Sequence, residues 1–155
     1  MAIVYLMKTF LVPVDFSPIT EKVIDSALTF ARAFGGKVEL LHIVQAPVIA
    51  TAEYALPAEV IQEAVTVSKS ASQKKLAAYV EQLTRSGVEC ASQVLVGAPV
   101  PLIREEAAKS QVDFILMGSH GHGKLYDFLV GSTASGVIKK AKCGVIIIPP
   151  VDQEN

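Results

Sequence analysis

Five short apolar runs alternate with helical patterns along almost the whole chain. The first, Lys8 to Val14, reads KTFLVPV and stops at Asp15-Phe16-Ser17-Pro18. Ser17 and Pro18 suit an N-cap and first helical turn, and Glu21 suits the positive end of a helix dipole. Ile24, Ala27, Leu28, Ala31 and Phe34 then recur at intervals of three and four, one stripe of a helix that Gly35-Gly36 ends. Val38 to Val44 (VELLHIV) is nearly continuous in apolar character, as suits a parallel strand covered on both faces. A loop is expected over 45–57, where Pro47 and Pro57 frame a segment containing Tyr54. A long helical pattern follows through Ile61, Ala64, Ser68, Ala71, Leu76, Val80 and Leu83 to Ser86-Gly87. Val88 to Val96 alternates with period two, the pattern of an outer strand with a half-covered face. Gly97 to Pro101 turns the chain into a short helix with Leu102, Ile103 and Ala107. Asp113 to Met117, a glycine-rich stretch from Gly118 to Gly123, a helix from near Ser132 and a last strand from Val145 to Ile148 complete the series.

Such alternation specifies an α/β protein, a five-stranded parallel sheet with helices on both faces. A doubly wound sheet with the strand order 3-2-1-4-5 is the arrangement expected, although alternation alone does not select that order. The 155 residues suffice for one core and not for two ordinary domains. A single domain over 1–155 is expected, its core about 6–149, with 150–155 a short tail. Apolar types make up 51% of the chain, which excludes disorder. With 14 basic and 15 acidic residues the net charge is -1, so no basic face is available to collect nucleic-acid phosphates. The cluster Lys139, Lys140 and Lys142 reads as the solvated end of a helix. No apolar run approaches the ~18 residues of a membrane span, and Met1 to Met7 lacks the basic start of a signal peptide. Cys90 and Cys143 have no CxxC spacing and read as small hydrophobes in a reducing compartment. A cytoplasmic protein is expected, without nucleic-acid or membrane partners.

In a doubly wound sheet the ligand crevice lies beyond the carboxyl ends of the strands, where the winding reverses. In the order 3-2-1-4-5 that point separates Pro13-Val14-Asp15 from Met117-Gly118. Gly118 and Gly121 allow a close backbone approach or a positive φ. Gly131-Ser132-Thr133 precedes a helix whose first N–H groups are unpaired, and two hydroxyls stand among them. Local chemistry leaves two readings open here, an anion site or tight turns with an ordinary N-cap at Ser132. Gly118 to Lys124 fits G-x4-G-K, but Leu125 stands where a P-loop needs a hydroxyl, and the loop follows the wrong strand. A GxGxxG fingerprint is also missing, since DFSP follows the first strand. His42, inside an apolar strand, reads as a structural histidine. His120-x-His122 offers two imidazoles, fewer ligands than a zinc site requires.

From about residue 6 to 149 the sequence resembles the universal stress proteins. Gly118, Gly121, Gly131 and Ser132 match the G-x2-G-x9-G-[ST] pattern of the family's nucleotide-binding members, and PVDFS, LLHIV and VIIIP also look like family text. The resemblance implies that Asp15 meets the ribose and adenine and that Pro13 and Val14 line the base pocket. Ile43 would flank adenine, with Met117 and Gly118 closing its other side. His120 and Gly121 would pass the phosphates, and Ser132 and Thr133 would face them. Many members have Arg or Lys at the place of His122. The implied ligand is ATP, with Mg or Mn carried by its phosphates.

The leading expectation is therefore an ATP-binding regulatory or stress-response protein with no or very slow hydrolysis. The alternatives are a slow Mg/Mn-dependent ATPase and a non-nucleotide interaction protein. No catalytic residue and no protein-held metal are expected. Val145-Ile146-Ile147-Ile148, uncharged and last in the sheet, is an edge open to pairing with a second copy. A homodimer through this strand is the expected assembly, and relatives resemble that picture.

Overall fold

Strand β1 (Thr9–Pro13) is buried almost throughout, because neighbouring strands flank it and helices cover both its faces. In the computed structural model, which describes residues 6–47, 56–121 and 130–150, eight further elements follow. They are α1 (Thr20–Phe34), β2 (Lys37–Val44), α2 (Ala58–Arg85), β3 (Cys90–Val96), α3 (Pro99–Lys109), β4 (Phe114–Gly118), α4 (Ser132–Lys140) and β5 (Gly144–Ile148). The sheet order is β3-β2-β1-β4-β5 and every pair is parallel, as the alternation requires.

Side-chain alternation divides the core in two. Phe10 and Val12 of β1, Val38 and Leu40 of β2, and Leu116 of β4 face α1 and α2. Leu11, Leu41, Ile115 and Met117 face α3 and α4. On the first face Phe10 stacks on Phe114 at 5.5 Å between ring centroids and meets Phe30 at 6.3 Å. β3 and β5 are the sheet edges, and β3 has the partly exposed pattern expected of an outer strand.

Three boundaries differ from the sequence reading. Ser17-Pro18 does not start α1, which begins at Thr20 with Ile19 in the cap position and no side-chain cap. The cause is local: Asp15 Oδ1 accepts the Ser17 N–H at 3.0 Å and Phe16 takes a left-handed φ of 58°, so the chain completes a turn before the helix can begin. The Ser17 hydroxyl is buried instead of capping. α2 opens at Ala58, directly after Pro57, and so takes in turns that precede the Ile61 stripe. α3 likewise opens at Pro99, where the missing N–H costs nothing. Tyr54, most of the expected loop and nearly all of the expected tail lie outside the described residues. So do His122, Gly123, Lys124 and Leu125.

Candidate functional site

Parallel strands deliver all their carboxyl ends, and the loops after them, to one side of the sheet. The winding reverses between β1 and β4, and a cavity of about 590 Å³ opens at that point. This lies within the range of ordinary small-molecule sites, roughly 300–1,000 Å³. Pro13, Val14, Asp15, Ile43, Met117, Gly118, His120, Gly121, Gly131, Ser132 and Thr133 all line it. One wall is apolar, with Ile43 from β2, Met117 from β4, and Ile103 and Ala134 from the helices below. Another is polar and built from the corner after β1, the start of the loop after β4 and the start of α4.

The β1 corner is held from several directions. Val14 N–H donates to the Leu41 carbonyl at 2.9 Å, which extends the β1–β2 ladder beyond the strand. The Val14 carbonyl lies 2.8 Å from His42 Nδ1, so that nitrogen must carry the proton and donate it. The His42 ring packs on Phe16 at 4.4 Å, and Lys75 of α2 stands over the other ring at 4.9 Å. His42 is thus structural, as its apolar strand suggested, and it fixes the corner that carries Asp15.

Glycine is required across the cleft by close approach. A Cβ on Gly121 would overlap Asp15 Oδ2, so the exposed carboxylate and the loop backbone lie against each other. A Cβ on Gly131 would stand 3.1 Å from the Ser119 carbonyl oxygen, which accepts the Gly131 N–H at 2.6 Å. Positive φ, allowed for in the sequence reading, is used by neither these glycines nor Gly118. Ser119 also donates its own N–H to the Ile148 carbonyl at 2.8 Å, and its hydroxyl lies 2.9 Å from His120 Nδ1. The ends of β4 and β5 and the start of α4 are tied together at this one residue.

α4 begins at Ser132 with Gly131 in the cap position and no side-chain cap. Ser132 is therefore the first residue of the helix and not its N-cap. The leading N–H groups, with the Ser132 and Thr133 hydroxyls, are left at the cavity wall. Uncapped donors and a helix dipole make this end suited to an anion. Among the described residues no cluster of His, Cys, Asp and Glu can hold a metal ion, and no helix is long and apolar enough to cross a membrane. Burial pushes the Cys90 thiol up to about 12 and raises that of Cys143, so both stay protonated.

Sequence reasoning missed several residues that line the cavity. Ile19, Thr20 and Val23 come from α1, Pro99 from the start of α3, Gln45 from beyond β2, and Ser119 from the β4 loop. Ile19 and Val23 look like any other core positions in the α1 stripe. Pro99 and Gln45 were within reach, because every connection after a parallel strand lies on this side.

A five-stranded parallel sheet whose winding reverses between β1 and β4, with helices on both faces, defines a doubly wound α/β domain. More particularly, the chain belongs to the universal stress protein family, whose model it matches over residues 7–149. It is 30% identical over 151 residues to universal stress protein MJ0531 of Methanocaldococcus jannaschii, covering 96% of this chain and 86% of that one. Among solved structures it is similar to the hypothetical protein MJ0577 of the same organism, with a TM-score of 0.82, 28% identity and coverage of 94% and 98% of the two chains. It is also similar to the universal stress protein from Archaeoglobus fulgidus in complex with dAMP, with a TM-score of 0.62, 25% identity and coverage of 92% and 98%.

Proposed function

We propose that the cleft binds an adenine nucleotide, ATP with Mg²⁺ or Mn²⁺ carried by its phosphates, and that the protein is a cytoplasmic regulatory or stress-response module with no or very slow hydrolysis. The observation that carries this reading is the uncapped start of α4 facing Asp15 across Gly121 and Gly131. The A. fulgidus relative described with dAMP supports an adenine nucleotide as the class. In this reading Asp15 accepts hydrogen bonds from the ribose, as acids do at such corners. Pro13, Val14, Ile43, Met117 and Gly118 enclose the base. His120, Gly121, Gly131, Ser132 and Thr133 surround the phosphates, and the two hydroxyls offer the oxygen donors that a hard divalent cation on a phosphate prefers. Slow turnover follows from the lining: among the described residues Asp15 is its one carboxylate, and it sits at the ribose end of the proposed pose. Assembly as a homodimer through β5 belongs to the same reading, because that strand is an uncharged sheet edge.

Calorimetric titration with ATP and magnesium tests the site. Binding in the micromolar range is expected, roughly -8 kcal/mol at 1 μM. Gly118→Val combined with Gly121→Val is expected to abolish it while the circular dichroism spectrum stays unchanged. A double variant that binds like the parent would place the site elsewhere. Hydrolysis at about 1 s⁻¹, within the ordinary enzyme range, and lost in Ser132→Ala, would make the protein an enzyme instead.

A further inference from the structure

Helix α2 carries a stripe that no burial among the described residues accounts for. Its buried residues are Ser72, Leu76 and Leu83, so nothing from Ala58 to Ala71 is buried. Yet beside the half-buried Ile61 and Val65 that half exposes Val60, Thr66 and Val67, β-branched residues that form an isolated helix less readily than alanine. A second stripe runs along it through Val60, Ala64, Val67, Ala71, Lys74 and Ala78. The steps of four and three repeat, as in the seam of a two-helix coiled coil. At 3.6 residues per turn this stripe lies about 150° round the helix from Leu76 and Leu83, away from the sheet. All six positions are exposed, Val60 at 44% and Val67 at 63%. Alanine at alternate seam positions lets two helices approach closely.

The charges select the occupant. Glu59 and Glu63 stand in the first two turns, and Lys74 stands three turns beyond Glu63. Neither Glu63 nor Lys74 makes an ion pair among the described residues. Eleven residues of helix separate them by roughly 16 Å, too far to pair within one chain. A parallel pair of α2 helices would set like charge beside like. In an antiparallel pair, with Val67 against the partner's Ala71, Glu63 falls beside the partner's Lys74, and symmetry repeats the contact. We propose that this face of α2 binds a second copy of the same chain, antiparallel about a two-fold axis. α2 packs on β2 and β3, at the opposite edge of the sheet from β5, so the contact does not compete with pairing through β5. One helix pair falls below roughly 1,200 Å² of buried surface, the range of weak, concentration-dependent contacts.

Sedimentation equilibrium at increasing concentration, on the whole chain, tests the proposal. Val67→Lys and Glu63→Lys are each expected to weaken self-association at least tenfold, with unchanged circular dichroism because both positions face solvent. The charge swap Glu63→Lys with Lys74→Glu is expected to restore it, which a merely local effect on the helix would not do. An assembly indifferent to all three variants, as one held by β5 alone would be, overturns the proposal. So does a swap that fails to restore association, or a parent that stays at 16.5 kDa throughout.

Discussion

The two faces of the sheet are built to different thicknesses. Seventeen buried residues gather under α1 and α2 among the described residues, against eight under α3 and α4. The helices differ in the same sense, with 15 and 28 residues on the first face and 11 and 9 on the second. Short helices leave the carboxyl ends of β1 and β4 less covered, and Ile103 and Ala134 belong both to the thinner core and to the cavity wall. Three of the seventeen thick-face residues (Val14, Ile19 and Val23) also line the cleft, against four of the eight on the thin face, so the thin face divides far more of its atoms between packing and the cleft.

That contrast is open to direct attack. Phe10 is fully buried against Phe30, Phe34 and Phe114, so Phe10→Ala leaves a sealed void and is expected to cost about 4 kcal/mol in urea unfolding. Nucleotide affinity, measured on the folded fraction, should not change. Ile103→Ala removes a side chain of similar burial that borders an existing cavity, and its cost should fall near 2 kcal/mol, the low end for such changes. Here affinity should fall about tenfold, or roughly 1.4 kcal/mol. Equal costs and equal affinities for the two variants would erase the distinction between the faces.

A smaller effect tests the end of the sheet away from the cleft. The Asp113 carboxyl is held below its usual range, first by the Thr9 amide at 2.8 Å and then by Lys8 at 3.0 Å, while partial burial opposes them. A depressed carboxyl stabilises the fold fully above its unfolded value, near ~4, and loses that contribution as pH falls through the lower folded value. Asp113→Asn is expected to cost about 1 kcal/mol at neutral pH. The gap from the parent should close on acidification below about 4. A gap that is constant with pH would mean that the carboxylate's charge does not matter there.

The strands themselves were legible because a parallel sheet buried on both faces demands apolar runs such as KTFLVPV and VELLHIV. Such runs do not fix the order of the strands, which was assumed and which the sheet bears out. Asp15 and the spaced glycines were legible because their chemistry depends on residue type. The start of α1 was not, because Asp15 turns its carboxylate back on the Ser17 amide and so removes the reason for a cap at Ser17. Ile19, Thr20 and Val23 were hidden for a different reason: a helix stripe does not say which of its turns meets a core and which meets a cavity. The second stripe of α2 is the same ambiguity seen from the solvent side.

The central position of β1 also sets an order in time. Its ladder with β2 closes over one helix, whereas Thr9 and Asp113, bonded across the β1–β4 junction, stand 104 residues apart. Distant pairings are slow to close, so β1, β2 and the helices on them should assemble before β4 docks. In stopped-flow refolding, helical ellipticity should return before a fluorescent nucleotide analogue is bound, and simultaneous recovery would mean that β4 docks early. Asp15 and Gly121 come together only once that late junction has closed. A chain caught part-way through refolding would therefore have much of its helix and no ligand affinity, and binding would mark the moment the molecule is finished.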